Sequence, residues 1–221
     1  MRPRVTNRLY QTAARLWLTA AGATLLLPPG ARLGWWLPLH LAMAGAVATA
    51  ISGAMQTFAG ASPRPRRPPA GLVLAQFSLV NAGVAGATAG MVLGTRWLLA
   101  GGGAGFVVAM GLLGWVVVRA RRRALHPRHR LPVAGYLFAC ASVVVGGTLG
   151  ALVGSRLAGP GLLGALARAH PVLNVLGFAG GTILATLVTL LPTVLRVRMP
   201  RWHGGTTAIL YATGVVAAAA G

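Results

Sequence analysis

The chain has no aspartate, no glutamate and no lysine: all twenty charged side chains in its 221 residues are arginines. The missing carboxylates exclude whole classes of mechanism. A Ser-His-Asp triad lacks its acid, and a two-carboxylate glycosidase lacks both catalytic groups. An Asp/Glu magnesium site or proton relay cannot be assembled either. Cysteine is almost absent as well. The single Cys140 allows no internal disulfide, and its place in an apolar run marks it as a buried, inert thiol. Charge is scarce in amount as in sign, at 9% of residues; soluble domains carry about a quarter, with both signs mixed.

What remains is apolar: 56% of residues are hydrophobic and the mean hydropathy is +0.72. This is the composition of an integral membrane protein. A formal charge of +20 can mark a nucleic-acid binder, but here the arginines sit in short clusters between long apolar runs. That is the membrane pattern, and no nucleic-acid partner is expected. The surroundings are instead a lipid bilayer.

A bilayer core of about 30 Å calls for roughly 20 apolar residues per helix. Seven stretches qualify: residues 9–27, 36–59, 71–93, 97–118, 133–154, 171–195 and 205–221. They are expected to be helices, because lipid offers nothing else to backbone polar groups, and barrel-type alternation is absent. The fold class is therefore all-α, a polytopic transmembrane bundle of about seven helices forming one domain over 1–221. The last stretch is barely long enough to cross. It reads equally as a natural end, a truncated product or the front piece of a longer protein. The first is read as a retained helix rather than a signal peptide.

Orientation follows from arginine placement. Sixteen arginines lie at the N-terminal end and in alternate loops, among them Arg2, Arg4, Arg8, Arg15, Arg64, Arg66 and Arg67. The opposite loops hold four: Arg32, Arg96, Arg156 and Arg168. The N-terminus is thus expected in the cytoplasm, with the chain in the plasma membrane of a bacterium. An arginine costs about 2.5–3.5 kcal/mol at a membrane centre; Arg15 is expected near the cytoplasmic end, where it can snorkel outward. Two loops are strongly marked. Ser62-Pro63-Arg64-Pro65-Arg66-Arg67-Pro68-Pro69 cannot be helical. The loop 119–130, with Arg119, Arg121, Arg122, Arg123, Arg128 and Arg130 around His126 and His129, is expected to meet anionic lipid headgroups.

Without carboxylates, chemistry falls to five histidines and a few amides and hydroxyls. In the sixth stretch, His170, Asn174, Phe178, Thr182, Thr186, Thr189 and Thr193 are three or four residues apart, forming a polar stripe on one helix face. Such a stripe either packs inside the bundle with its hydroxyls bonded to carbonyls at i−4, or lines a cofactor cavity or permeation path. His40 follows the interfacial pair Trp35-Trp36. His40 and His170 both enter from the outer side, so they can lie at similar depth and bind a metal or haem iron; otherwise they are two unrelated interfacial histidines. Thr49, Ser52 and Gln56 form a second polar face that helical geometry turns away from His40. Gln76 and Asn81 are read as interhelical hydrogen-bond partners, and His203 beside Trp202 as an inner-interface anchor. Gly101-Gly102-Gly103 is read as a loose or closely packed turn of the fourth helix.

Two segments carry a resemblance. One is Trp36-Leu37-Pro38-Leu39-His40-Leu41 continuing through Gly45-Ala46-Val47-Ala48-Thr49-Ala50-Ile51. The other is His170 through Leu173-Asn174-Val175-Leu176-Gly177-Phe178, then Thr186-Leu187-Val188-Thr189-Leu190-Leu191-Pro192-Thr193-Val194-Leu195-Arg196. They resemble bacterial polytopic membrane proteins of the copper-oxidase or nitrite-reductase-like kind, whose helical membrane region is distantly similar to the catalytic subunit of haem-copper oxidases. The resemblance covers about fifty residues. It implies electron transfer, His40 and His170 as ligands of haem or copper, Asn174 beside the cofactor, and a cupredoxin protein or another membrane subunit as partner. The chain departs from that pattern at Val172, where a second histidine of His-x-His is expected, at Thr57, where a further histidine is expected, and in having no cupredoxin domain. Two other readings stand beside it: a small-solute transporter or channel built on the threonine stripe, and a non-catalytic assembly subunit.

Overall fold

The computed structural model describes residues 3–59, 68–124, 130–197 and 204–221. Residues 62–67 of the proline-rich loop, residues 125–129 of the basic loop with His126 and His129, and the Trp202–His203 pair lie outside the described residues.

Every regular element described is helical: α1 (Pro3–Thr24), α2 (Trp36–His40), π1 (Leu41–Val47), α3 (Ala48–Ala59), α4 (Ala70–Val92), α5 (Arg96–Ala124), α6 (Arg130–Gly154), α7 (Pro160–Pro171), π2 (Val172–Gly180), α8 (Gly181–Val194) and α9 (Gly204–Ala220). The segments α2–π1–α3 and α7–π2–α8 each form one continuous helical run. Among the described residues, five helices are long and apolar enough to cross a membrane: Trp36–Thr57, Ala70–Val92, Arg96–Arg119, Leu131–Gly154 and Pro160–Pro192. The other two expected spans differ for physical reasons. α1 carries Asn7, Arg8, Gln11 and Arg15, which dilute its apolar character. The final apolar helix, Gly205–Ala220, is short.

The sixth stretch also begins earlier than its composition suggests. The helix starts at Pro160, with Gly159 as N-cap and proline in the first turn, where the missing N–H is harmless. It then passes through Pro171 without breaking. Proline removes a backbone donor and crowds the preceding turn. The run continues as π2, in which Gly181 N–H reaches back five residues to Leu176 O. π1 follows Pro38 in the same way, and Ala48 N–H reaches Met43 O. Such π segments absorb an extra residue per turn and often mark functional positions.

Neighbouring helices pack antiparallel, and their small residues set the register. On α4 and α5, a Cβ at Gly83 would lie 2.5 Å from Phe106 N, one at Gly86 3.2 Å from Gly102 Cα, and one at Gly90 would meet Leu99 N. The two backbones therefore touch over about two turns, the contact that small residues permit where no water drives association. α6 descends along α5 through Gly103 with Ala151 and Gly114 with Cys140. The α7–π2–α8 run returns along α6 through Gly135 with Ala185 and Gly177 with Ser142. The core between them holds Met55, Val80, Met110, Leu113, Val143 and Phe178. Cys140 is buried there, 4.0 Å from Met55 Sδ.

α1 lies antiparallel along α2–π1–α3. Tyr10 packs on Gly53 and Trp17 on Gly45, while Ala21 clusters with Leu37 and Leu41. This register also places Arg15 along the bundle. It falls between Tyr10 and Trp17, level with Val47 and Ala48, near the middle of Trp36–Thr57. Its side chain is exposed.

A buried polar knot ties α1, α3 and α4 together. The Tyr10 hydroxyl accepts from Gln56 Nε2 at 2.8 Å and lies 2.5 Å from Gln76 Oε1 and 3.0 Å from Val73 O. Gln56 Nε2 also donates to Gln76 Oε1, and Gln76 Nε2 to Ser52 Oγ at 3.2 Å. Gln76 thus bonds three side chains on two other helices, as expected of it. Asn81 accepts from Trp17 Nε1 at 2.6 Å. We expect Gln76→Leu to lower stability by about 1–2 kcal/mol, the worth of two or three interhelical hydrogen bonds. Unfolding in mixed detergent micelles measures this, and an unchanged midpoint would show that the knot contributes nothing.

Candidate functional site

The two histidines singled out in the sequence meet. The His40 and His170 ring centroids are 6.0 Å apart with planes within 6° of parallel. His40 ends α2 and His170 lies in the last turn of α7, one residue before Pro171, so each imidazole sits directly ahead of a π segment. His170 is thus inside a long helix rather than at the start of a span. The pair lies at the end of the bundle that carries Arg32, Arg96 and Arg156. There Arg32 and Arg96 stand over the rings of Trp35 and Trp97, at 5.1 and 4.8 Å from their centroids.

Hydrogen bonds fix the ring protons. His40 Nδ1 is 2.7 Å from Trp36 O, one turn back on its own helix. His170 Nδ1 is 2.7 Å from Gly146 O on α6. A carbonyl oxygen only accepts, so each neutral imidazole must carry its proton on Nδ1. The lone pair then resides on Nε2. This is the arrangement found behind metal-bound histidines, where a second-shell carbonyl fixes tautomer and ring orientation.

Three neighbours hold the rings. The Trp36 indole stacks on His40 at 3.9 Å between centroids, 18° from parallel. Trp36 is therefore half-buried against the site, while Trp35 is exposed. Asn174, one turn after His170, donates from Nδ2 to His170 O at 2.7 Å and lies 3.1 Å from His170 Nδ1. It braces the helix under the imidazole. On α6, Gly150 leaves the space the His170 ring occupies: a Cβ there would collide with Cε1 and Nδ1. Gly146, one turn away, gives Asn174 the same clearance. The sequence reading missed Gly146 and Gly150. Their four-residue spacing is a small-xxx-small signal, but one that recurs throughout so glycine-rich a chain.

The donor set limits what the pair can hold. The two rings lie parallel, and each offers one neutral imidazole nitrogen besides the Nδ1 held by a carbonyl. No group of three or more His, Cys, Asp or Glu side chains gathers among the described residues. A four-protein-ligand zinc site is therefore not assembled here. Two neutral imidazoles are donors that haem iron or copper would accept. Neither Val172 nor Thr57 supplies a further ligand. Val172 is aliphatic. Thr57 donates to Gly53 O at 2.8 Å, and it lies seventeen residues, or about 25 Å of helix, from His40.

The threonine stripe packs within the bundle where it is described. Thr182 and Thr186 donate to carbonyls four residues back, at 2.7 and 2.8 Å. The Thr186 hydroxyl also meets Tyr136 Oη at 3.0 Å. Phe178 is buried in the core. The side chains of Thr189 and Thr193 lie outside the described residues. Thr49 and Ser52 are buried. The extra residue per turn in π1 reduces the half-rotation that α geometry would place between this face and His40.

Comparison with protein-family models, with curated proteins and with solved structures found no match for this chain.

Proposed function

We propose that the chain is a multi-pass protein of a bacterial plasma membrane that holds a redox metal, haem iron or copper, between His40 and His170. In this reading α1 and α9 complete seven crossings of a single transmembrane domain. The arginine-rich loops and the N-terminus lie in the cytoplasm, and the histidine pair lies toward the outer surface. The distribution of arginines supports that orientation.

One observation carries the metal assignment. Two imidazoles from helices far apart in sequence converge at 6.0 Å, each with Nδ1 tied to a carbonyl and Nε2 left as a donor. The bound metal would supply one-electron transfer. The chain's own residues do the rest: His40 and His170 bind, Trp36 O and Gly146 O fix the tautomers, Asn174 steadies the helix, and Trp36 covers one ring. The resemblance to copper-oxidase and nitrite-reductase-like membrane domains agrees with this assignment. With two protein ligands, the chain is read as an electron-transfer or assembly subunit of such a system, served from outside by a cupredoxin-type donor. The transport reading gains less support, because the Thr182 and Thr186 hydroxyls are engaged with their own helix and with Tyr136.

The test is metal and haem analysis of protein purified in mild detergent, with a visible absorption spectrum. The wild type is expected to retain haem or copper near one equivalent. His40→Ala and His170→Ala are each expected to lower retention at least tenfold, as loss of one of two ligands should, while Thr186→Val leaves it unchanged. A colourless, metal-free wild type, or retention unaffected by both histidine substitutions, overturns the proposal and leaves the assembly role.

A further inference from the structure

We propose that the outer face of α1 seats a different membrane-spanning chain, one that places an aspartate or glutamate opposite Arg15. This inference is independent of the histidine site. Along α1, Thr6, Tyr10, Ala14 and Ala21 are buried against the bundle. Arg8, Thr12, Arg15 and Thr19 are all exposed, and their spacing of four, three and four puts them on one stripe of the opposite face. Exposed Leu16 and Leu18 border the stripe on either side. The polar outer face also explains why α1 is not among the helices apolar enough to cross a membrane by composition.

Depth turns this stripe into a requirement. Tyr10 on Gly53 and Trp17 on Gly45 place Arg15 at mid-height of Trp36–Thr57. The middle of a 30 Å hydrocarbon core is about 15 Å from either surface, well beyond the reach of one arginine side chain snorkelling outward. A guanidinium at that level needs a charged or strongly polar partner rather than acyl chains.

The 221 residues contain no Asp or Glu, so none of these helices, nor a copy of them, offers a side-chain carboxylate to Arg15. A heterologous transmembrane helix with a carboxylate near its midpoint can do so. The hydroxyls of Thr12 and Thr19, about one turn to either side, offer such a helix further hydrogen bonds.

The experiment places a benzophenone amino acid at Thr12 or Thr19 of the full-length chain, expressed in its native host and irradiated in intact membranes. Ile183, exposed on α8, serves as the control position. Thr12 and Thr19 are expected to give one discrete protein adduct that Ile183 does not give, and mass spectrometry is expected to map it to a membrane-spanning segment containing Asp or Glu. Arg15→Leu should lower adduct yield at least tenfold, and Arg15→Lys should retain most of it. Arg15→Glu combined with the partner's carboxylate changed to arginine should restore it. Monodisperse elution of Arg15→Leu in detergent shows that the chain itself still folds. Adducts to lipid alone, to a second copy of this chain or to a segment without a carboxylate overturn the proposal, as does an undiminished yield in Arg15→Leu.

Discussion

Gly102→Ala is expected to destabilise the bundle by about 2–3 kcal/mol, toward the upper end of what overpacking costs. A Cβ at this position would collide with Ala87 N and lie 2.8 Å from Gly83 O. Both contacts are backbone, so no side chain can rotate away and the two helices must separate. α4 and α5 touch in this manner at Gly83, Gly86 and Gly90 as well, so separation at one turn loosens the neighbouring ones. Gly101 provides the internal control, because nothing lies within 4 Å of a Cβ there. Gly101→Ala should be neutral, or stabilising by up to about 1 kcal/mol through helix propensity. Unfolding of the two variants side by side in mixed micelles reads the difference. Equal midpoints would mean that the α4 and α5 backbones do not meet at this level.

The second large effect is expected at Gly150. An alanine there drives its methyl into the His170 ring, so the imidazole must leave Gly146 O and its alignment with His40. If the pair binds a metal, Gly150→Ala should weaken retention by 10–100-fold, the range for losing second-shell support, although no ligand has been removed. Gly146→Ala should act in the same direction, since a Cβ there would lie 2.7 Å from Asn174 Nδ2. Gly159→Ala, in open space at the start of α7, should leave retention unchanged. Metal content normalised to folded protein separates this effect from general instability. Retention equal to wild type in Gly150→Ala would show that the His170 position is not what holds the metal.

Much of this protein is legible from composition, because a membrane imposes its requirement locally, residue by residue. The spans around 36–59, 71–93, 97–118 and 133–154 reappear as helices of nearly those bounds, since each is an uninterrupted apolar run that must satisfy its own backbone. Gln76 and Asn81, the only amides of α4, bond across helices to Tyr10 and Trp17. That outcome follows from the cost of leaving an amide unpaired in an apolar interior. The start of the α7–π2–α8 run was not legible. Pro171 reads as a boundary, yet tertiary packing on α6 carries the helix through it.

The arrangement of the site belongs to a different level. Nothing in the spacing of His40 and His170 states that they meet. Their separation of 130 residues is closed by glycine contacts on α4, α5 and α6 that fix how each helix lies on the next. The knot shows the same division: Gln76 announces a need for a partner, but only the docking of α1 makes Tyr10 that partner.

What the sequence determined by itself is the apolar surroundings, the helical character of the spans and the chemistry that is excluded, because hydropathy and missing carboxylates act without regard to neighbours. What only the tertiary structure decided is register: which imidazoles face each other, and that Arg15 stands level with the middle of Trp36–Thr57. Register is a property of pairs of surfaces in contact. It is set here by where two backbones can approach within van der Waals distance, which no single helix encodes alone.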